Sequence, residues 1–333
     1  ANTEEVVALA QAAGRHGGVY ATHMRDEGEK IAEAITEAVR VGREAGTPVQ
    51  ISHFKVSNRR LWGSSDRTIA LVEKFRQEGV DVVVVQYPYV RSSTGLSTTL
   101  PSWALAGGQA SIRERLANPE TRARIARQMA ERLRQLGYED YSYATVASCR
   151  FDRSIEGKTI SEVNTMKGRP KTVAAEVETI LDLVAQGVVP MVFHSMGEQD
   201  VERILRYPNT AVASDGYIIE HGSGAPHPRS YGTNARVLAE YVRKRQVLTL
   251  EDAVRRMTSL PARTFGFHDR GVVREGLAAD LVLFDPERVA DRSTFDKPHQ
   301  YSEGFDLVLV GGVAVVENGK PTGKRPGRVV RRE

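Results

Sequence analysis

Imidazole is the commonest side-chain ligand for transition metals, and eight histidines are present, so the chemistry begins there. His23 closes the run GVYATH (18–23), and His53 closes PVQISH (48–53), 30 residues later. Each run is short and apolar and reads as a strand. Between them GEKIAEAITEAVRVGREAG (28–46) has helical periodicity and stops at Gly46. The reading is strand–helix–strand, close to the ~30 residues of a βαβ unit. In a parallel α/β fold both imidazoles then stand at the carboxyl ends of neighbouring strands, where such folds keep their chemistry. Neutral imidazoles suit Zn²⁺, and a catalytic zinc takes about three protein ligands plus water. The bland alternative is two core or capping histidines; matched strand ends weigh against it.

Further residues end or follow other strand-like runs. Asp215 closes TAVASD (210–215); a carboxylate there can ligate metal and take a proton from water, although Asp before Gly is also an ordinary turn. His194 closes VVPMVFH (188–194) and is either an outer support of the site or structural. Lys55 lies two residues past His53, and Arg229 sits in APHPRSYGT; a guanidinium fork with a nearby ammonium matches a carboxylate. Tyr87 and Ser93 follow a third strand end and can donate to an amide oxygen or its oxyanion. Cys149 reads as a small buried hydrophobe rather than a ligand.

The elements that must position these residues follow from the same patterns. Helix 3–14, helix 66–78 and the strand run DVVVVQ (81–86) extend the unit to β-α-β-α-β with a parallel sheet. A block from about 97 to 170 interrupts the repeat: a Ser/Thr/Pro/Gly-rich segment, an Arg-rich amphipathic helix over 110–137 and a strand YSYATVAS (141–148). The repeat is expected to resume with helix 171–186, strand 188–194, helix 198–207 and strand 210–215, then helices 233–245 and 249–258, with Thr249 as N-cap. After Pro261 short alternating strands with Gly/Asn/Asp turns predict a small β domain. The expected divisions are 1–96 and 171–262 for the repeat, 97–170 for the insertion and 263–333 for the β domain.

Composition excludes several classes. The chain has 333 residues, 26% of them charged, with a net charge of +4 and scattered basic residues, so no nucleic-acid footprint is expected. No apolar run approaches the ~18 residues of a membrane span. One cysteine permits no internal disulfide and suits a reducing compartment, so a cytoplasmic protein is expected.

The motifs YATHMRDEG, ISHFK, YPYVRSST, FHSMGEQDVERIL, SDG, HPRSYGTNARVL and MTSLPARTFGFHDRGVVREGLAADLVLFDP, running on to HQYSEGFDLVLVGGVAVVENGKPTGKRPGRVVRR, carry a likeness over nearly the whole chain. It resembles the amidohydrolase superfamily and, within it, the N-acyl-D-amino-acid deacylases (D-aminoacylases). The resemblance implies a zinc-dependent (β/α)₈ TIM-like barrel with a small β-sandwich, acting on the linear amide of N-acyl-D-amino acids. It implies that His23 and His53 are metal ligands from strands five and six. Asp215 on strand eight would be general base and a weak ligand of a second ion. Lys55, Tyr87, Ser93 and Arg229 match substrate-binding positions; Arg229 and Lys55 would hold the carboxylate and Tyr87 would polarise the carbonyl.

The sequence departs from that family in holding no HxH pair, and Cys149 does not match the family's metal-bridging cysteine. The likeness starts just before strand five. The expectation is therefore the carboxyl-terminal half of a barrel with an inserted subdomain and a β-sandwich remnant, truncated at its amino end. Such a chain should bind zinc poorly, turn over little and self-associate through open sheet edges. The rival readings are a cyclic amidase, hydantoinase- or dihydroorotase-like, and a non-catalytic truncated chain. Arg229 with Lys55 argues for an acyclic substrate with a free carboxylate.

Overall fold

The computed structural model describes residues 1–331. Strands β1 (Tyr20–Thr22), β2 (Val49–Ile51), β3 (Val82–Gln86) and β7 (Thr210–Val212) form a parallel sheet in the order β1-β2-β3-β7. Every residue of β2, β3 and β7 is buried, as expected of strands covered on both faces.

Helix Ile31–Ala45 connects β1 to β2. Its apolar positions Ile31, Ala34, Ile35, Ala38, Val39, Val41 and Gly42 lie on one buried stripe. Gly46 ends it in the left-handed conformation, φ 66°, the usual role of glycine past a helix. Gly42 lets the helix approach β2: a Cβ there would meet Val49 Cγ2 at 2.0 Å. Helix Ser65–Gln77 crosses from β2 to β3, and both helices pack with the sheet in one cluster that includes Ile35, Val39, Ile51, Phe54, Val72 and Val84.

The expected strand 188–194 forms, as β6 (Pro190–His194), but not in the parallel sheet. It lies at the centre of an antiparallel sheet between β4 (Arg91–Gly95) and β5 (Ala144–Val146). The physical reason lies in its partners: Met191 and Phe193 join an apolar cluster with Leu96, Ile125, Met129, Leu133, Val146 and Ile180. β7 takes the place beside β3 instead. The cluster that β6 joins runs from Leu96 to Phe193, wider than residues 97–170. Within it, 141–148 forms a 3₁₀ turn (Tyr141–Tyr143) before β5.

The expected helix 233–245 begins earlier, at Arg229, and passes from α-helix (Arg229–Arg236) to π-helix (Val237–Lys244). Thr249 caps helix Leu250–Met257, accepting from Asp252 N at 3.2 Å. From that helix Arg256, 1% exposed, donates to the Tyr207 and Thr210 carbonyls at 2.5 and 3.1 Å and to Asp252 at 2.7 Å. This fastens the start of β7, whose far end leads to Asp215. Strands β8 (Leu281–Phe284), β9 (Phe305–Val310), β10 (Val313–Glu317) and β11 (Lys320–Pro321) form an antiparallel sheet. Among the described residues no helix is long and apolar enough to cross a membrane.

Candidate active site

β1 runs into His23 and β2 into His53, so neighbouring parallel strands deliver both rings to one place. His23 Nδ1 and His53 Nε2 face each other at 2.5 Å, with ring centroids 4.3 Å apart. His53 adopts φ 40° and Asp215 φ 49°, left-handed conformations that non-glycine residues rarely take. Such backbone strain gathers where surrounding structure imposes a functional geometry. At Asp215 the turn continues into Gly216, where a Cβ would meet Ser230 Cα at 2.9 Å, so the backbones of the two loops touch.

These residues line a cavity of about 980 Å³ that also includes Glu27, Lys55, Tyr87, Ser93 and Arg229. Arg229 is 3% exposed; its Nη1 lies 2.9 Å from Asp215 Oδ2, and its guanidinium sits 4.5 Å above the Tyr87 ring. Its Nη2 reaches the Ser93 carbonyl at 3.5 Å. The loop is aimed by His227, whose Nδ1 accepts from Arg229 N at 3.0 Å while its Nε2 faces the Arg91 carbonyl at 2.8 Å. Burial, reinforced by the Arg229 charge, lowers the His227 pKa to about 3, so this ring is neutral. Burial likewise pushes the Tyr87 phenol far above its usual range, leaving it a neutral donor.

Sequence reasoning missed Glu27. Its side chain is 17% exposed, and Oε1 lies 2.5 Å from Lys55 Nζ and 2.7 Å from His53 Nδ1. Burial works against its ionisation, but the Lys55 ammonium and the His53 hydrogen bond outweigh that and hold its pKa down to about 2. A signal existed: a glutamate four residues past a strand-end histidine. It was hidden in the charged run RDEGEK, which looks like an ordinary solvated loop. Lys55 also donates to the His53 carbonyl at 2.7 Å and is 4% exposed; burial presses its pKa down against the pull of Glu27.

His23, Glu27 and His53 have ligand atoms within 4.8 Å of one another. Proximity alone does not make them three ligands of one ion. Glu27 lies on the Nδ1 side of His53, whereas Nε2 is the nitrogen turned toward His23. The two imidazole nitrogens are donors of the type zinc takes; burial, followed by the His53 charge, lowers the His23 pKa and favours its neutral form. Asp215 lines the same cavity, but its carboxylate is engaged by Arg229 and stands outside the three-residue cluster.

One sequence candidate, His194, lies elsewhere, and Cys149 is buried as expected. His194 ends β6 beside Trp62, ring centroids 5.3 Å apart, and does not line the cavity, although Ser93 on neighbouring β4 of the same sheet does. Burial, then Arg91 and Arg59, lowers its pKa. Cys149 is fully buried in the apolar cluster around β5 and β6, and burial raises its thiol pKa.

Residues 118–316, more than half the chain, match the amidohydrolase family model. The chain is 35% identical over 332 residues to a D-aminoacylase of Alcaligenes xylosoxydans xylosoxydans. It is 34% identical over 333 residues to an N-acyl-D-glutamate deacylase of the same organism. Each alignment covers 100% of this chain and 58% of the relative. A solved N-acyl-D-glutamate deacylase from Bordetella bronchiseptica, complexed with zinc and a phosphonate mimic of the tetrahedral intermediate, superposes with a TM-score of 0.75 at 32% identity. That match covers 96% of this chain and 58% of the solved one. The chain thus spans somewhat over half the length of the curated relatives it matches, and it belongs to the amidohydrolase family.

Proposed function

We propose that this chain carries the substrate-binding and general-base part of a zinc-dependent enzyme that hydrolyses N-acyl-D-amino acids to a carboxylate and a D-amino acid. The observation that carries the proposal is the single cavity shared by the His23–His53 pair, Asp215 and Arg229. The relatives named as D-aminoacylase and N-acyl-D-glutamate deacylase supply the substrate class. The parallel sheet β1-β2-β3-β7 is read as part of a (β/α)₈ barrel, the unit built around β4–β6 as its insertion and the β8–β11 sheet as part of a β-sandwich.

In this reading His23 Nδ1 and His53 Nε2 would hold zinc, and Asp215 would be a weak ligand of a second ion. Bound zinc supplies Lewis acidity, polarising an acyl carbonyl and making water reactive near neutral pH.

Arg229 grips the substrate carboxylate through a bidentate fork, helped by Lys55 and by Ser93 at the cavity wall. Tyr87, kept neutral, donates to the carbonyl oxygen as negative charge develops on it. Asp215 takes the proton of the attacking water and delivers it to the leaving amine, so no net proton is gained or lost on the enzyme. When Arg229 turns to the substrate, it releases the Asp215 oxygen that lies 2.9 Å from its Nη1.

The test is hydrolysis of N-acetyl-D- and N-acetyl-L-amino acids, by this chain and by a protein carrying it at the length of its relatives. The longer protein is expected to act on the D series only, in proportion to zinc, and the chain alone only weakly. Equal action on both enantiomers, preference for a cyclic amide such as a hydantoin, or zinc-independent turnover would overturn the proposal.

A further inference from the structure

We propose that His227 is a positioning residue: its imidazole caps the helix that starts at Arg229 and so sets the Arg229 guanidinium in place for the substrate carboxylate before any substrate arrives. The carboxylate part rests on the function proposed above; the cap does not. Helix Arg229–Arg236 begins without an ordinary cap, because its N-cap residue is Pro228, which has no side-chain acceptor. The first amides of a helix have no partner within it, and here the first belongs to the buried Arg229. The next two find carbonyls, Ser230 N at His227 O (3.2 Å) and Tyr231 N at Pro228 O (2.9 Å). Arg229 N donates instead to His227 Nδ1 at 3.0 Å.

The other nitrogen of the ring, Nε2, lies 2.8 Å from the carbonyl of Arg91, the first residue of β4. An amide N–H only donates and a carbonyl only accepts, so both contacts ask for the same tautomer, with the lone pair on Nδ1 and the proton on Nε2. Tyr89 and Phe295 meet the ring nearly edge-on, each with centroids 5.1 Å away, and His227 is 3% exposed. Turning the ring over would take both nitrogens from their partners. One imidazole thus ties the backbone of Arg229 to β4, the strand that carries Ser93. The Arg229 side chain is held more loosely. Nη2 reaches the Ser93 carbonyl only at 3.5 Å, and Tyr87 supports one face of the guanidinium. Nη1 is within ion-pair distance of Asp215 but lacks the direction of a hydrogen bond, so it is a buried donor without an acceptor. A carboxylate in the cavity would supply that acceptor. Where the fork reaches is therefore set from its backbone end, and a displacement of ~1 Å can cost about 10²-fold.

The test compares three variants of the longer protein on N-acetyl-D-leucine. His227→Phe fills the space and removes both bonds; KM should rise about 10–100-fold, with kcat changed far less. His227→Asn, whose Oδ1 stands where Nδ1 stood, keeps an acceptor for Arg229 N and should recover most of that loss. His227→Gln, whose amide reaches the Nε2 position and keeps only the Arg91 bond, should not. Titration of this chain, followed by NMR, should rank the affinities for N-acetyl-D-leucine in the same order without turnover. Affinity for its carboxamide, which offers Arg229 no charge, should not change. An unchanged KM in a folded His227→Phe, an equal loss for acid and carboxamide, or rescue by glutamine as good as by asparagine would overturn the inference. If the phenylalanine variant does not fold, the asparagine and glutamine variants decide it. If the binding order holds but the longer protein hydrolyses no D-amide, the functional proposal fails and this one stands.

Discussion

At the scale of single residues, the proposed chemistry depends on which groups are charged and which are neutral. Asp215→Asn removes the proposed base while keeping its shape; kcat of the longer protein should fall roughly 10²–10⁴-fold, a loss that added zinc does not restore. His227 makes a pH-dependent contribution whose sign is fixed by its lowered pKa. In the unfolded chain it titrates near 6.5, in the native chain near 3. Between those values the unfolded state binds one more proton, so stability falls as pH drops through that window, by about 1.4 kcal/mol per unit from this residue. Urea unfolding at pH 7, 6 and 5 should therefore show a shallower acid loss in His227→Asn than in the wild type. An equal slope would mean that the ring titrates normally.

The sequence made His23 and His53 legible because one βαβ repeat separates them. It could not reveal the left-handed backbone at His53 and Asp215, which surrounding packing imposes. Nor could it reveal that Arg229 and Asp215 would pair, since the loop between them has no periodic pattern.

At the scale of elements, placement of the candidate residues depends on close contacts far from the cavity. Gly42→Ala places a methyl into Val49 at the face where helix Ile31–Ala45 meets β2. Overpacking of this kind costs about 1–3 kcal/mol, and the displaced β2 should weaken zinc binding at His53; denaturant unfolding and metal titration would measure both. Arg256→Ala should cost about 1–3 kcal/mol, because the Tyr207 and Thr210 carbonyls lose their shared buried donor, while Asp252 keeps Arg255 at 2.8 Å. Legibility here was uneven for a physical reason. A fully apolar run such as VVPMVFH identifies a strand but not its neighbours. Pairing was decided by the apolar cluster from Leu96 to Phe193, whose members are distant in sequence. That is why β6 lies with β4 and β5 rather than beside β3.

At the scale of the whole molecule, β1 and β7 each pair on one side only among the described residues, and the β8–β11 sheet leaves Val282 52% and Leu283 61% exposed. Unpaired edges and bare apolar faces favour association. Light scattering should show the mass of this chain rising with concentration, and Val282→Lys with Leu283→Lys should reduce the rise. The central claim is that His23 and His53 converge on one zinc. Competition with a chromogenic chelator, run on the chain and on single alanine variants, tests it most directly. The account predicts one zinc, bound weakly, lost in His23→Ala and in His53→Ala and retained in His194→Ala. Zinc retained in both of the first two variants, or lost as readily from the third, would contradict it.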